Sequence, residues 1–161
     1  MTCVKTGKLL LLTFLVLSSA VCATAAANVP VPPACTPLVN QKLFELLNSG
    51  QRRPVDNVMV CGITTAPSRT QYGGPHGNHE VLSVRVPLPD HTFRLIEVVT
   101  NDALDGKVEA SANAAVFAYG QAFFSNTHQF AAGIHDVHCS THFGADNGWV
   151  VVNGRKYPKS C

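Results

Sequence analysis

The chain has 161 residues, with 12 Lys and Arg against 10 Asp and Glu, 46% hydrophobic residues and six cysteines. Lys5 and Lys8 lie in an N-terminal leader that holds no acid, so the rest balances at 10 against 10, which excludes a general electrostatic pull on nucleic acid or anionic membrane. The chain beyond the leader is long enough for one domain with a real core, and no repeat or low-complexity tract divides it.

Lys5 and Lys8 precede an apolar run at 9–17, broken only by Thr13, and then small residues from Ser18 to Ala26. This is the pattern of an export signal, expected over residues 1–26 with cleavage between Ala23 and Ala27. The run is too short to span a bilayer, and no later segment is a candidate, so a secreted protein without a membrane partner is expected. Residues 27–34 include Asn28-Val-Pro-Val-Pro-Pro-Ala34, expected to be extended and loosely held.

A single domain is expected over 35–161. Thr36 is a plausible N-cap with Pro37 at the first helical position, and Leu38, Leu43, Leu46 and Leu47 lie mainly on one face, with Phe44 beside them. Gly50 is the natural stop. Strands are expected at 58–64, 80–88, 93–100, 114–119, 130–139 and 149–152, each rich in β-branched or aromatic residues and bounded by Gly, Pro, Asn or Asp. Pro89-Asp90-His91 makes a tight connection, so two of these should form a hairpin. The fold class is α+β: one N-terminal helix packed on an antiparallel sheet of about five strands.

Cys3 and Cys22 leave with the leader, and Cys35, Cys61, Cys139 and Cys161 remain. An even count in a secreted chain reads as two disulfides. Four cysteines allow three pairings, among which sequence alone does not choose. The nested pair Cys35–Cys161 with Cys61–Cys139, which would staple both ends of the domain, is the favoured expectation. His135-x-x-His138-Cys139-x-x-His142 is a dense group of possible zinc donors. On a helix, His135, His138 and His142 would share a face, but Gly133 before them and Ser140 to Gly144 after them disfavour a helix. No metal and no cofactor is therefore expected. His79, His91 and His128 read as solvated loop residues.

Three stretches carry a resemblance: Tyr72-Gly-Gly-Pro75-His76, Ile96-Glu97-Val98, and Ala132-Gly133-Ile134-His135-Asp136-Val137-His138 with a Gly-containing loop and Trp149 after it. They are similar to motifs of the small secreted guanyl-specific ribonucleases of fungi and of the ribonuclease-like effectors of plant-pathogenic fungi. The resemblance implies one helix on a curved antiparallel sheet and a disulfide from chain start to chain end. It also implies roles: Glu97 as base, His138 as acid, His76 as electrostatic helper, and Tyr72 and Trp149 in substrate binding. Cleaving RNA through its own 2′-hydroxyl needs such a base and acid, and a cation for the phosphoryl oxygens.

Alternation puts Glu97 on a face with Phe93, Leu95 and Val99, where apolar neighbours would raise its pKa. The plainer reading is an edge-strand glutamate, or one in a salt bridge with Arg85 on the neighbouring strand as its candidate partner. With Cys139 turned into the core, His138 would face the open side of the sheet. One departure counts against activity. Ser111-Ala-Asn-Ala-Ala-Val-Phe117, where the family's phosphate-binding arginine would fall, has no cation, and such a loss costs about a hundredfold or more. The expected reading is thus a secreted, monomeric effector with a degenerate site that binds a host protein or RNA, with uptake into host cells as a further step. The alternatives are an active endoribonuclease leaving 2′,3′-cyclic phosphate ends, and an unrelated disulfide-bonded inhibitor or binding module.

Overall fold

Pro37 opens the helical segment, where its missing N–H costs nothing. A 3₁₀ turn at Pro37–Asn40 runs into α1 (Gln41–Asn48), and Gly50, at φ 70°, ends it. The computed structural model to which these elements belong describes residues 26–124, 129–141 and 143–161, and His76 by its backbone alone. The expected leader up to residue 25, His128, His142 and the side chain of His76 lie outside the described residues. Leu43 is fully buried, whereas Leu38 is 74% exposed. Five residues at about 100° each put the two about 140° apart around a helix, so they cannot share a narrow stripe.

Asn40 docks this segment. Its Nδ2 donates to Cys61 O (3.1 Å) and Pro87 O (2.8 Å), and its Oδ1 accepts from Cys61 N–H (2.7 Å). These partners lie on β1 (Val55–Thr64) and β3 (Asn78–Pro87), which pair only at Ile63–Thr64. The amide thus bonds to backbone of both strands beyond their short ladder.

β3 and β4 (Phe93–Asn101) form the expected hairpin, in register from His79 opposite Asn101 to Pro87 opposite Phe93. Alternation along β4 buries Ile96, Val98 and Thr100 and turns Leu95, Glu97 and Val99 outward. β5 (Ala115–Phe123) pairs along β1. β6 (Ala132–His135) lies between β4 and β5, parallel to the first and antiparallel to the second. The ring β1–β3–β4–β6–β5–β1 therefore closes into a five-stranded barrel. Its interior is packed by Val58, Val60, Leu82, Val84, Ile96 and Ile134, with Leu43 of α1 joining them. β2 (Arg69–Tyr72) adds to β3, while β7 (Trp149–Val152) and β8 (Arg155–Tyr157) extend from β5. A one-turn helix, α2 (Asp102–Asp105), follows β4.

The α+β class, the single N-terminal helix and the two disulfides match expectation. The antiparallel sheet of about five strands is present in a fuller form: it closes, includes one parallel contact and has eight strands among the described residues. Closure satisfies strand edges that an open sheet would leave bare.

The disulfide pairing also differs. Cys35 bonds Cys61 and Cys139 bonds Cys161, with Cα separations of 5.6 and 5.3 Å, in place of the nested pair. Asn40 holds the helical segment against the Cys61 peptide, so the cysteine just ahead of that segment becomes its neighbour. The bridges span 26 and 22 residues, and in the chain-entropy model each contributes about 3–4 kcal/mol.

The Pro-rich N-terminal segment is pinned, where loose attachment was expected. Asn28 bridges Asn147, Asn147 N–H donates to Ala27 O (3.0 Å), and the Trp149 indole N–H donates to Val29 O (2.8 Å). No helix among the described residues is long and apolar enough to cross a membrane.

Candidate functional site

One edge of β5 changes partner halfway: Tyr119 is the last residue opposite β7 and Gln121 the first opposite β6. Gly120 sits at the change. The carbonyls of His135 and Asp136 press against it, and Asp136 O presses against Gly148, so neither position has room for a Cβ. Asp136 has φ 52°, which ends strand alternation after His135. Val137 then drops into the core, and His138 swings back toward Asp136. His138 reaches the outer side of the sheet as expected, but by this kink and not through a core-facing Cys139, whose disulfide joins the C-terminal residue.

A cleft of about 90 Å³ opens there, lined by His79, Val99, Asn101, Asp105, His135, Asp136 and His138. Its hydrogen bonds place one proton on each of His135 and His138. Gln121 Nε2 donates to Asp56 Oδ1 (2.6 Å), so Gln121 Oε1 accepts from His135 Nε2 (2.9 Å). His135 Nδ1 is left 3.4 Å from Asp136 Oδ1. His138 Nδ1 donates to Cys139 O (2.9 Å), which leaves its Nε2 3.6 Å from the same Asp136 oxygen. Asn101 Oδ1 accepts from Ala103 N–H, so the Asn101 amide nitrogen is the donor toward His79 Nε2 (3.4 Å).

Asp105 closes the cleft from α2. It is 5% exposed; Oδ2 accepts from Asn101 N–H (2.6 Å), while Oδ1 is buried without a hydrogen-bond partner. Burial pushes its pKa up to about 6, against the pull of the Asn101 N–H and of His138 and with the push of Asp136 and Asp102. A carboxyl that titrates near neutrality beside imidazoles is able to take or give a proton, or to receive a donor.

The residues singled out from the sequence are not all gathered here. Glu97 is on the outer face of β4, opposite Ser83 on β3 and Gly133 on β6, and Val99 and Asn101 are the β4 residues that line the cleft. Partial burial raises its pKa, as the alternation argument required, and Arg69 of β2 pulls it back. Arg85, the expected partner of Glu97, lies opposite Leu95 and its guanidinium sits over the Phe93 ring at 5.1 Å. The Phe123 ring fills the space over Gly133 and meets His135 edge-on at 5.1 Å.

Tyr72 is on β2 and 83% exposed, outside the cleft lining. Trp149 is 2% exposed, stacked on Tyr119 at 6.0 Å under the N-terminal segment, so its role is packing and no ligand face is free. Burial raises the Tyr119 pKa, and the hydrogen bond its hydroxyl donates to Asp146 (2.7 Å) adds to the rise. Among the described residues no group of three His, Cys, Asp or Glu could hold a metal ion; of the set His135, His138 and His142, the last lies outside them.

Asp105, Arg69 and the cleft-facing role of His79 are what sequence reasoning missed. The only local signal for Asp105 was Asn101-Asp-Ala-Leu-Asp105-Gly106, an Asn cap, one turn and a Gly stop, which predicts a short helix but not a buried acid. No family model, no characterised protein and no solved structure matches the chain.

Proposed function

We propose that the protein is a secreted, effector-type binding protein that acts by engaging a host protein, its ribonuclease-like motifs no longer forming a working catalytic set. The observation that carries this reading is the charge and hydrogen-bonding character of the cleft. Asp105 and Asp136 line it, and His135 and His138, when neutral, turn lone pairs and not N–H groups toward Asp136. A phosphate about 4 Å from a carboxylate near a protein surface is repelled by about 4 kcal/mol, so this recess disfavours RNA. A partner protein that presents hydrogen-bond donors meets no such penalty. The two residues assigned as base and acid also have different surroundings, since His138 belongs to the cleft and Glu97 does not line it.

One observation favours a second reading, that of an active endoribonuclease. Arg69 acts electrostatically on Glu97, and a cation beside the base is what the 111–117 stretch lacks. An RNA-cleavage assay decides between the two. The expected outcome is intact RNA; turnover to 2′,3′-cyclic phosphate ends, abolished by both Glu97→Gln and His138→Ala, would overturn the binding reading.

A further inference from the structure

We propose that the cleft is a socket for one guanidinium group, that of an arginine side chain presented by a polypeptide partner. This rests on the reading that the protein binds another protein, and it names the chemistry of the contact.

The donor and acceptor inventory comes first. His135 has given its Nε2–H to Gln121 and His138 its Nδ1–H to Cys139 O, while His79 Nε2 receives the Asn101 amide. His135 Nδ1 and His138 Nε2 then stand 3.4 and 3.6 Å from one Asp136 oxygen, and with both rings neutral these are three acceptor atoms with no hydrogen among them. Crowded lone pairs in a partly dry site call for a donor. Asp105 makes the same demand independently: it lines the cleft, is 5% exposed, and its Oδ1 has no partner.

Size and shape narrow the class. At about 90 Å³ the cleft is well below the ~300–1,000 Å³ of pockets for drug-sized ligands, so it suits a single side-chain head and not a nucleotide. An ammonium is a point charge with three donors. A guanidinium is a flat fork of five N–H groups that serves two carboxylates at once and stacks on aromatic rings, and here the carboxylates are Asp105 and Asp136 and the rings are imidazoles. No three-ligand metal group competes for these atoms among the described residues.

The test is an NMR titration of ¹⁵N-labelled protein, near neutral pH, with acetyl-arginine methylamide. Saturable shifts are expected at His79, Asn101, Asp105 and His135 to His138. The citrulline counterpart, of the same shape but uncharged, should bind about tenfold more weakly or worse. Asp105→Asn should weaken the arginine compound by about tenfold or more while melting at the same or a higher temperature, which separates loss of the socket from loss of the fold. Three results would overturn the proposal: no saturable shift in the cleft, equal response to the citrulline compound, or saturation of His135 and His138 by micromolar zinc in place of arginine. If arginine is ignored while RNA stays intact, this inference alone fails. RNA turnover lost in both variants named above removes the binding reading beneath it.

Discussion

Asn40 and Asp105 are buried polar side chains at the two places where a helical segment meets the barrel, and their surroundings treat them in opposite ways. Asn40 is fully buried and makes three hydrogen bonds to backbone of β1 and β3. Asp105 is nearly as buried, has one backbone N–H on Oδ2 and nothing on Oδ1, and is held part of the way toward its neutral form. A satisfied buried group specifies where a segment docks. A buried group left short stabilises nothing by itself, and such groups mark places where a fold keeps capacity for a ligand. Glu80 stands between the two: 2% exposed, with Oε1 accepting the Thr70 hydroxyl at 2.7 Å.

Substitutions along this series should separate the cases. Asn40→Ala is expected to cost the most, about 3–5 kcal/mol, because it strands the Cys61 N–H and the Cys61 and Pro87 carbonyls in a dry junction. Urea unfolding would measure it, and a loss below about 1 kcal/mol would mean that the junction is wetter than its burial implies.

Asp105→Asn should act in the other direction. The folded-state pKa of about 6 lies above the ordinary 3.8, so the folded protein disfavours the ionised carboxylate. The resulting penalty is absent below about pH 4, grows from there to about pH 6, and is complete above it, reaching about 3 kcal/mol at most. The variant should therefore gain stability at about pH 8 and gain little at about pH 4. Equal gains at both would show that ionisation of Asp105 is not the cause. Thr70→Val should have the smallest effect, a loss of about 1 kcal/mol by urea unfolding, since it removes a single bond to one carboxylate oxygen.

Much of the scaffold was legible in the sequence, because local rules govern it. Pro37 and Gly50 bracket the helical segment, and β-branched alternation with Pro89-Asp90-His91 gives the β3–β4 hairpin. β2, Arg69-Thr-Gln-Tyr72, escaped because all four residues are exposed and so carry no apolar alternation; β8, Arg155-Lys-Tyr157, is too short to show one. Barrel closure and the parallel β4–β6 contact depend on which edges meet, and no spacing in the chain encodes that. The disulfides were misjudged for the same reason, since Cys35 meets Cys61 through the docking of Asn40, a contact invisible in cysteine spacing. Of the candidate site, His138 and its face were legible, and Trp149 was overread as a ligand platform when it anchors Val29. Asp105 was hidden because burial of a lone acid is set by distant chain, here the kink at Asp136 that brings His138 back across the sheet.

Closure of the ring also bears on self-association. An open sheet offers long rows of unpaired amides on which a second molecule can grow strand by strand. In this barrel the five main strands are paired on both sides along parts of their length, and among the described residues the strands with a single partner are β2 and β8, of four and three residues. Arg69, Arg155 and Lys156 sit on them, the cationic side chains that blunt such borders. Among the described residues, the strand borders left with a single partner are thus short and cationic, a poor template for strand-by-strand growth.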